Sequence, residues 1–353
     1  MTASTSRSDA PSPGNDRRKR LVRFAVVLVV LGLSVWYVVG MIDWAGLGRA
    51  LVEMHAGWIA AGVCCTLGAH LARAHRWRLL IPQGGSIKLL DSFSATIIGY
   101  LMNNVIPRSG ELVRPYVLSK RDGRPMSGLV ATVLVERVLD GLSLVAIFVG
   151  LLLVSSERLQ KVFVGYSSTG ILLSIILPLL AIVLIVALLV KTRLGEQVLA
   201  RLGRIVPGRI VAKLTGLLND FRSGITFGGK LGVVLIIFWS AVIWAGYCGA
   251  VYFGFHAFGL DTAYGMGAAD AITVLAITAV GVTIAPTPGA FGVYHLFCTG
   301  ALTTLYHVNN DTAVAFALVT HAAPYLAVLI AGSLFLLREN VSMKDAVQRG
   351  GEA

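Results

Sequence analysis

The sequence predicts an all-α polytopic membrane protein, with about six full spans plus two re-entrant or broken helical hairpins in an inverted repeat. Three observations predict it. Of the 353 residues, 56% are hydrophobic and only 14% charged, where a soluble domain carries about a quarter charged residues; mean hydropathy is +0.77. The apolar residues come in runs long enough to cross a bilayer, which takes about 20 residues. Two of these runs are interrupted by proline–glycine segments at matching places. Eight or nine simple spans are the alternative.

Residues 1–20 are rich in Ser, Pro and Thr, end in Arg17-Arg18-Lys19-Arg20, and are expected to be a disordered tail. The apolar run 21–42 is longer than a signal-peptide core of roughly 7–15 residues, and no small-residue cleavage site follows it. It is expected to be an uncleaved first span. Further spans are expected at 57–80, 126–154, 169–190, 231–258 and 311–337. Run 87–118 is broken by Asn103-Asn104 and by Pro107-Arg108-Ser109-Gly110. Run 266–306 is broken by Pro286-Thr287-Pro288-Gly289. The chain then divides into a first membrane repeat (21–154), a connecting span and basic segment (155–230), a second repeat (231–337) and a C-terminal tail (338–353).

The net charge of +12 does not point to nucleic acid, because the basic residues gather between apolar segments. That is the positive-inside pattern. The stretch after the second span carries Arg73, Arg76, Arg78 and Lys88, and the stretch before the third carries Arg108, Arg114, Lys120, Arg121 and Arg124. A single crossing would put these groups on opposite sides, whereas a hairpin keeps both in the cytoplasm. The nearly neutral segments 43–56, 155–168 and 259–265 fall outside, and the basic segment 191–230 and the tail fall inside. The expectation is an inner-membrane protein with both termini cytoplasmic and Pro107 on the cytoplasmic side. The second interrupted run starts and ends outside; a turn buried at membrane depth or two full crossings both satisfy this. Within 191–230, Val198, Leu202, Ile205, Ile210, Leu214, Leu217 and Phe221 recur at helical spacing among Arg201, Arg204 and Lys213. This is an amphipathic segment on the leaflet or a solvated linker helix.

The two interrupted runs repeat at one offset. Asp91 lies sixteen residues before Pro107 and Asp270 sixteen before Pro286, and Gly110 and Gly289 each follow their proline by three. The halves enter their hairpins from opposite sides, the inverted arrangement that places a transport site at the repeat interface.

Three clusters carry candidate chemistry. At the first break, Asn103 and Asn104 can bond freed backbone groups, the helix restarting after Gly110 offers N–H groups to an anion, and Arg108 and Arg114 suit bidentate phosphate recognition. Glu111 lies among them. In the third span, Glu136 and Asp140 share a face, with Arg137 reaching Asp140 at i,i+3. These charges fall about 15 Å along the span, where an unpaired charge is costly. One arginine leaves one acid over, for Arg108, Arg114 or a substrate. At the second break, Pro286 and Gly289 allow close backbone approach, and His295 can titrate near neutral pH. His70 and His75, five apart, suit no metal pair and are expected at the interface.

Cys64, Cys65, Cys248 and Cys298 lie in apolar stretches without metal spacing, so no metal is expected. No P-loop, HExxH, GxSxG or glycine-rich dinucleotide motif occurs, so no cofactor is expected and a catalytic role is disfavoured.

The run Asn104-Val105-Ile106-Pro107-Arg108-Ser109-Gly110-Glu111-Leu112-Val113-Arg114 resembles the signature of the lysylphosphatidylglycerol synthase transmembrane-region family. Glu136-Arg137-Val138-Leu139-Asp140-Gly141 and Pro286-Thr287-Pro288-Gly289-Ala290-Phe291-Gly292-Val293 fit the same pattern. The resemblance implies a flippase-like helical bundle that moves a lipid between leaflets, with Arg108, Glu111 and Arg114 matching the first motif and Glu136, Arg137 and Asp140 the second. The aminoacyl-transferase domain of that family's synthases is not in this chain, so synthesis of lysylphosphatidylglycerol is not expected. The expected function is a transporter of a phospholipid or lipid-linked phosphate-bearing intermediate, with anionic membrane lipids as partners. A membrane-embedded transferase acting on a polyprenyl-phosphate or phospholipid is the alternative.

Overall fold

The computed structural model describes residues 44–82, 84–162, 229–284 and 287–339, with isolated positions between 197 and 215. The expected spans at 21–42 and 169–190, nearly all of segment 191–230, Pro286 and both tails lie outside the described residues. Every regular element among the described residues is helical.

Helix α1 (Trp44–Glu53) occupies a segment expected to be a loop. Its apolar residues repeat at helical spacing but are too few for a span, so a search for long apolar runs passes over it. Helix α2 (Ala56–Leu80) ends where Ile81 turns extended ahead of Pro82, because the residue before proline disfavours the helical region. The same rule ends α3 (Leu89–Val105) at Ile106, ahead of Pro107. Helix α4 (Gly110–Asp122) closes on left-handed Gly123, whose N–H returns to the Ser119 carbonyl. Helix α5 (Met126–Val162) follows. In the second half, α6 (Gly229–Ala257) and the short α7 (Leu260–Tyr264) lead to α8 (Ala268–Ile284). A 3-10 turn at Pro288–Ala290, α9 (Val293–Tyr306) and α10 (Asn310–Glu339) complete the described chain.

Both interrupted runs are helical hairpins. In the first, Gly99 packs on Gly110 and Arg114, and Arg121 reaches Asp91 at 3.6 Å, so α3 and α4 run antiparallel with their free ends together. In the second, Gly281 packs on Phe297, and the Tyr264 hydroxyl accepts from the Asn309 N–H at 3.2 Å across the free ends of α8 and α9. The first arms have matching bounds: the offset that takes Asp91 onto Asp270 takes Leu89 onto Ala268 and Val105 onto Ile284, both ends of α8.

Each half has its own core. Trp77, Ile98, Met102, Val117 and Leu129 pack together from α2 to α5, and Phe255, Val274, Cys298, Leu302 and Phe316 from α6 to α10. The halves join mainly through α2 and α6. These run antiparallel, since Trp58 stacks on Phe253, Gly62 meets Ala250, Ala69 meets Gly246, and Arg76 bonds Ser240. Small residues at Gly62, Ala69, Gly246 and Gly249 let the backbones close up, as helices in lipid require when no hydrophobic effect drives them together.

The hairpin tips meet. Asn104 lies against Gly289, and Arg108 donates to the Thr283 carbonyl at 3.4 Å. Tyr325 and His321, halfway along α10, touch the same Gly289. Pro107 therefore sits at mid-height of the bundle rather than toward its basic end, because the whole of α3 separates it from Lys88 and Asp91. Outward faces are apolar: Val234 and Ile237 on α6, and Ile330, Leu334 and Leu337 on α10, are exposed. Among the described helices, α6 and α10 are long and apolar enough to cross a membrane.

Candidate functional site

The third expected span, now α5, carries Glu136 and Asp140 one turn apart, so both carboxylates face the same neighbours. Across from them, α2 offers Arg73 and Arg76 at i,i+3, and α4 offers Arg114. The result is an alternating chain of charges. Arg73 donates to Asp140 Oδ2 at 2.5 Å and Arg76 to Asp140 Oδ1 at 2.6 Å. Arg76 also lies 3.4 Å from Glu136 Oε1, and Arg114 donates to Glu136 Oε2 at 2.5 Å. Arg76 and Glu136 are 0% exposed. Arg137 closes the group from the outside: 43% exposed, it stands 3.6 Å from both Asp140 and Glu111.

Surrounding side chains fix the geometry. Arg76 donates its other arm to Ser240 at 2.9 Å. The Arg114 guanidinium lies 3.8 Å over the Trp77 ring, a cation–π contact of about 2 kcal/mol when desolvated. Trp77 is itself anchored by donating to Thr132 at 2.8 Å. Four guanidiniums thus face three carboxylates, leaving one positive charge in surplus. The chain ends in arginines with spare donors: Nε and Nη2 of Arg114 and Nε of Arg73 are buried and bonded to no protein group. Such donors are costly unless something accepts from them. Beside this group His70 lies against the tilted Tyr100 ring at 4.1 Å and bonds the Tyr247 hydroxyl at 3.3 Å.

The acid left over by Arg137 does find Arg114, as the sequence allowed. Other expectations change. Arg108 does not join Arg114: its backbone is left-handed (φ 61) and its side chain is exposed, directed to the second hairpin. The start of α4 is not open to an anion, because Asn103 Oδ1 accepts from the Gly110 N–H at 2.7 Å and the carbonyls of Arg108 and Ser109 take the next amides. His70 is buried, not interfacial. Arg73 and Arg76, which the sequence presents only as charges that set orientation, lie inside the expected span and belong to this network. Their signal was present, since arginines three apart inside an apolar run share a buried face.

The second break gathers a separate group. Gly289 is left-handed (φ 58), and a Cβ there would stand 2.8 Å from Tyr325. His295 is buried and accepts from the Gly292 N–H at 3.3 Å. His321, which sequence reasoning missed, bonds the Gly289 carbonyl at 2.8 Å. Among the described residues no group of His, Cys, Asp or Glu could hold a metal ion.

Apolar outer faces, paired helical hairpins and a buried ion-pair network define an all-helical membrane protein with a charged interior. The chain belongs to the family of lysylphosphatidylglycerol synthase transmembrane regions, whose match covers residues 21–332. It is similar to a UPF0104 membrane protein of Methanothermobacter thermautotrophicus, 25% identical over 338 residues, which take in 91% of this chain and 93% of the relative. A second UPF0104 membrane protein, of Methanocaldococcus jannaschii, is 24% identical over 125 residues, 34% of this chain and 37% of the relative. Glycosyltransferase AglD of Haloferax volcanii is 23% identical over 375 residues, covering 95% of this chain and 58% of that protein. No solved structure matches.

Proposed function

We propose that the protein is a flippase-like transporter that moves a phosphate-bearing lipid between the leaflets of the inner membrane. The observation that carries this is the surplus guanidinium charge, with its unbonded donors on Arg73 and Arg114. A buried cationic surplus calls for an anion, and planar guanidinium groups suit phosphate oxygens. Arg137 is the arginine free to move: it is half exposed and its partners are both 3.6 Å away. The reading takes the two halves as an inverted-topology repeat. Antiparallel α2 and α6 and the meeting of the hairpin tips at mid-height support it, since transporters of this plan bind substrate where broken helices meet. Glu111, Glu136 and Asp140 hold the arginines in place and limit the net charge.

The test uses purified protein in proteoliposomes with fluorescent phosphatidylglycerol and phosphatidylethanolamine. Phosphatidylglycerol should change leaflet faster, with lipid mass unchanged. Arg137→Gln should slow it by at least about tenfold, the worth of one lost charge-assisted contact. Equal rates for both lipids, or a fully active Arg137→Gln, would remove the anion site from the mechanism. The likeness to a protein named as a glycosyltransferase favours a second reading, a transferase acting on a lipid phosphate. In that case mass spectrometry of the recovered lipid should show a new product, with Glu136 or Asp140 as the base.

A further inference from the structure

We propose that His321 is a proton-binding site at the meeting point of the hairpin tips, and that its protonation couples lipid movement to proton movement. This rests on the transport reading above, but the site stands on its own geometry. His321 lies halfway along α10, and its Nε2 is 2.8 Å from the Gly289 carbonyl oxygen. A carbonyl only accepts, so Nε2 carries the hydrogen. In the neutral ring Nδ1 is then a lone pair. That atom is buried and bonded to no protein group. The ring is therefore a base, tied to the tip of the second hairpin by its other nitrogen.

The surroundings set it apart from its neighbour. His295, on α9, is 4.9 Å away edge-on, but its own Nδ1 already accepts from Gly292. Tyr294, also on α9, stacks on His321 at 4.9 Å and bonds Thr320. Phe291 of the tip and Tyr325 of α10 complete the aromatic wall. From the first hairpin comes Asn104, whose Nδ2 is also buried and unbonded; Arg108 of the same hairpin is exposed and bonds the Thr283 carbonyl instead. Among the described residues no carboxylate pairs with either imidazole.

The proton step follows from this set. A proton arriving from water binds the Nδ1 lone pair and makes an imidazolium. The ring then has two donors where it had one, and its new N–H needs an acceptor. The new charge also stands in an aromatic pocket with no carboxylate partner among the described residues. Both conditions favour a state in which the tip has moved and the ring meets water. Because His321 holds Gly289, protonation and tip position bias each other by the same factor.

Two measurements test this. In the detergent-purified full chain, deuterium exchange at the histidine C2 position, read by mass spectrometry from pH 5 to 9, should show a sigmoidal titration at His321. A flat profile overturns the proton site whether or not the protein moves lipid. In phosphatidylethanolamine–phosphatidylglycerol vesicles holding a pH dye, a one-unit gradient should change the rate of fluorescent phosphatidylglycerol movement by up to about tenfold, with protons moving alongside. His321→Gln keeps a donor for Gly289 and should lose that response; His295→Gln should keep it. A gradient response that survives His321→Gln overturns the coupling. A wild-type protein that moves no phosphatidylglycerol under any gradient sinks the transport reading, and the exchange profile still decides the proton site.

Discussion

Arg114 shows how much rests on a single charge in this interior. Its guanidinium holds Glu136, a fully buried carboxylate whose other contact, to Arg76, is long at 3.4 Å. Removing one partner of a buried pair leaves an uncompensated charge, which costs roughly 3–5 kcal/mol. Arg114→Ala is therefore expected to lower the unfolding midpoint in detergent as well as abolish transport, and Arg114→Lys to recover only part, because a lysine cannot reproduce the fork. The double variant Arg114→Gln/Glu136→Gln removes both charges and should regain most of the stability while staying inactive. Thermal unfolding and translocation measured on all three separate the roles: a double variant that transports normally reduces the pair to architecture. The sequence exposed half of this network. Helical spacing on α5 places Glu136, Arg137 and Asp140 together, since i,i+3 and i,i+4 neighbours are dictated locally. It cannot show that the partners come from α2, sixty or more residues earlier, because that depends on how α2 crosses α5. Arg73 and Arg76 look like topological charges until the helix is packed.

At the scale of elements, the hairpins were legible because their causes are local. Proline after an extended residue stops α3, and glycine permits the return. The depth of the tips was not legible, because it depends on α10 lying alongside both of them. What the arms demand is close approach. A Cβ on Gly110 would stand 2.1 Å from the Gly99 carbonyl oxygen, a backbone atom that cannot step aside. A Cβ on Gly281 would meet the Phe297 ring at 2.4 Å, and a ring can turn. A Cβ on Gly300 meets nothing within 4 Å. Three alanine substitutions should therefore rank by structure alone. Gly110→Ala should cost the most, at or above the roughly 1–3 kcal/mol of ordinary overpacking; Gly281→Ala should fall inside that range. Gly300→Ala should be neutral or stabilising by up to about 1 kcal/mol, the helix preference of alanine over glycine. Melting temperatures of the three in one detergent check the order, and equal losses at all three would mean that the hairpin arms do not pack as described.

The whole molecule has two unlike ends. At one, Arg338 donates to Asp91 at 2.8 Å, Arg121 stands 3.6 Å from the same carboxylate, and Ser94 bonds Glu339 at 2.8 Å. Lys88 and Lys120 are exposed there, and Arg124 donates to the Pro82 carbonyl at 2.6 Å. At the other, His256 pairs with Asp261 at 2.6 Å, and Asn309, just ahead of α10, accepts from the Asp311 N–H at 2.8 Å. The first end carries the basic excess, and lysine and arginine near span ends are retained in the cytoplasm. The hairpin geometry makes this a sharp test, because α3 and α4 return to the same end: Lys88 and Lys120 must lie on one side, and Asn310, at the far end of α10, on the other. Single cysteines at these positions need a quiet background. Cys298 is fully buried, Cys65 and Cys248 are half-buried, and Cys64 is exposed, so Cys64→Ala removes the most accessible competitor. With a membrane-impermeant maleimide on intact cells, Asn310→Cys should label, and Lys88→Cys and Lys120→Cys should label only after permeabilisation. If 88 and 120 label on different sides, the first hairpin is a full crossing and the tip contact at Gly289 does not hold in the membrane. If both label from outside and 310 does not, the bundle stands but is inverted in the membrane.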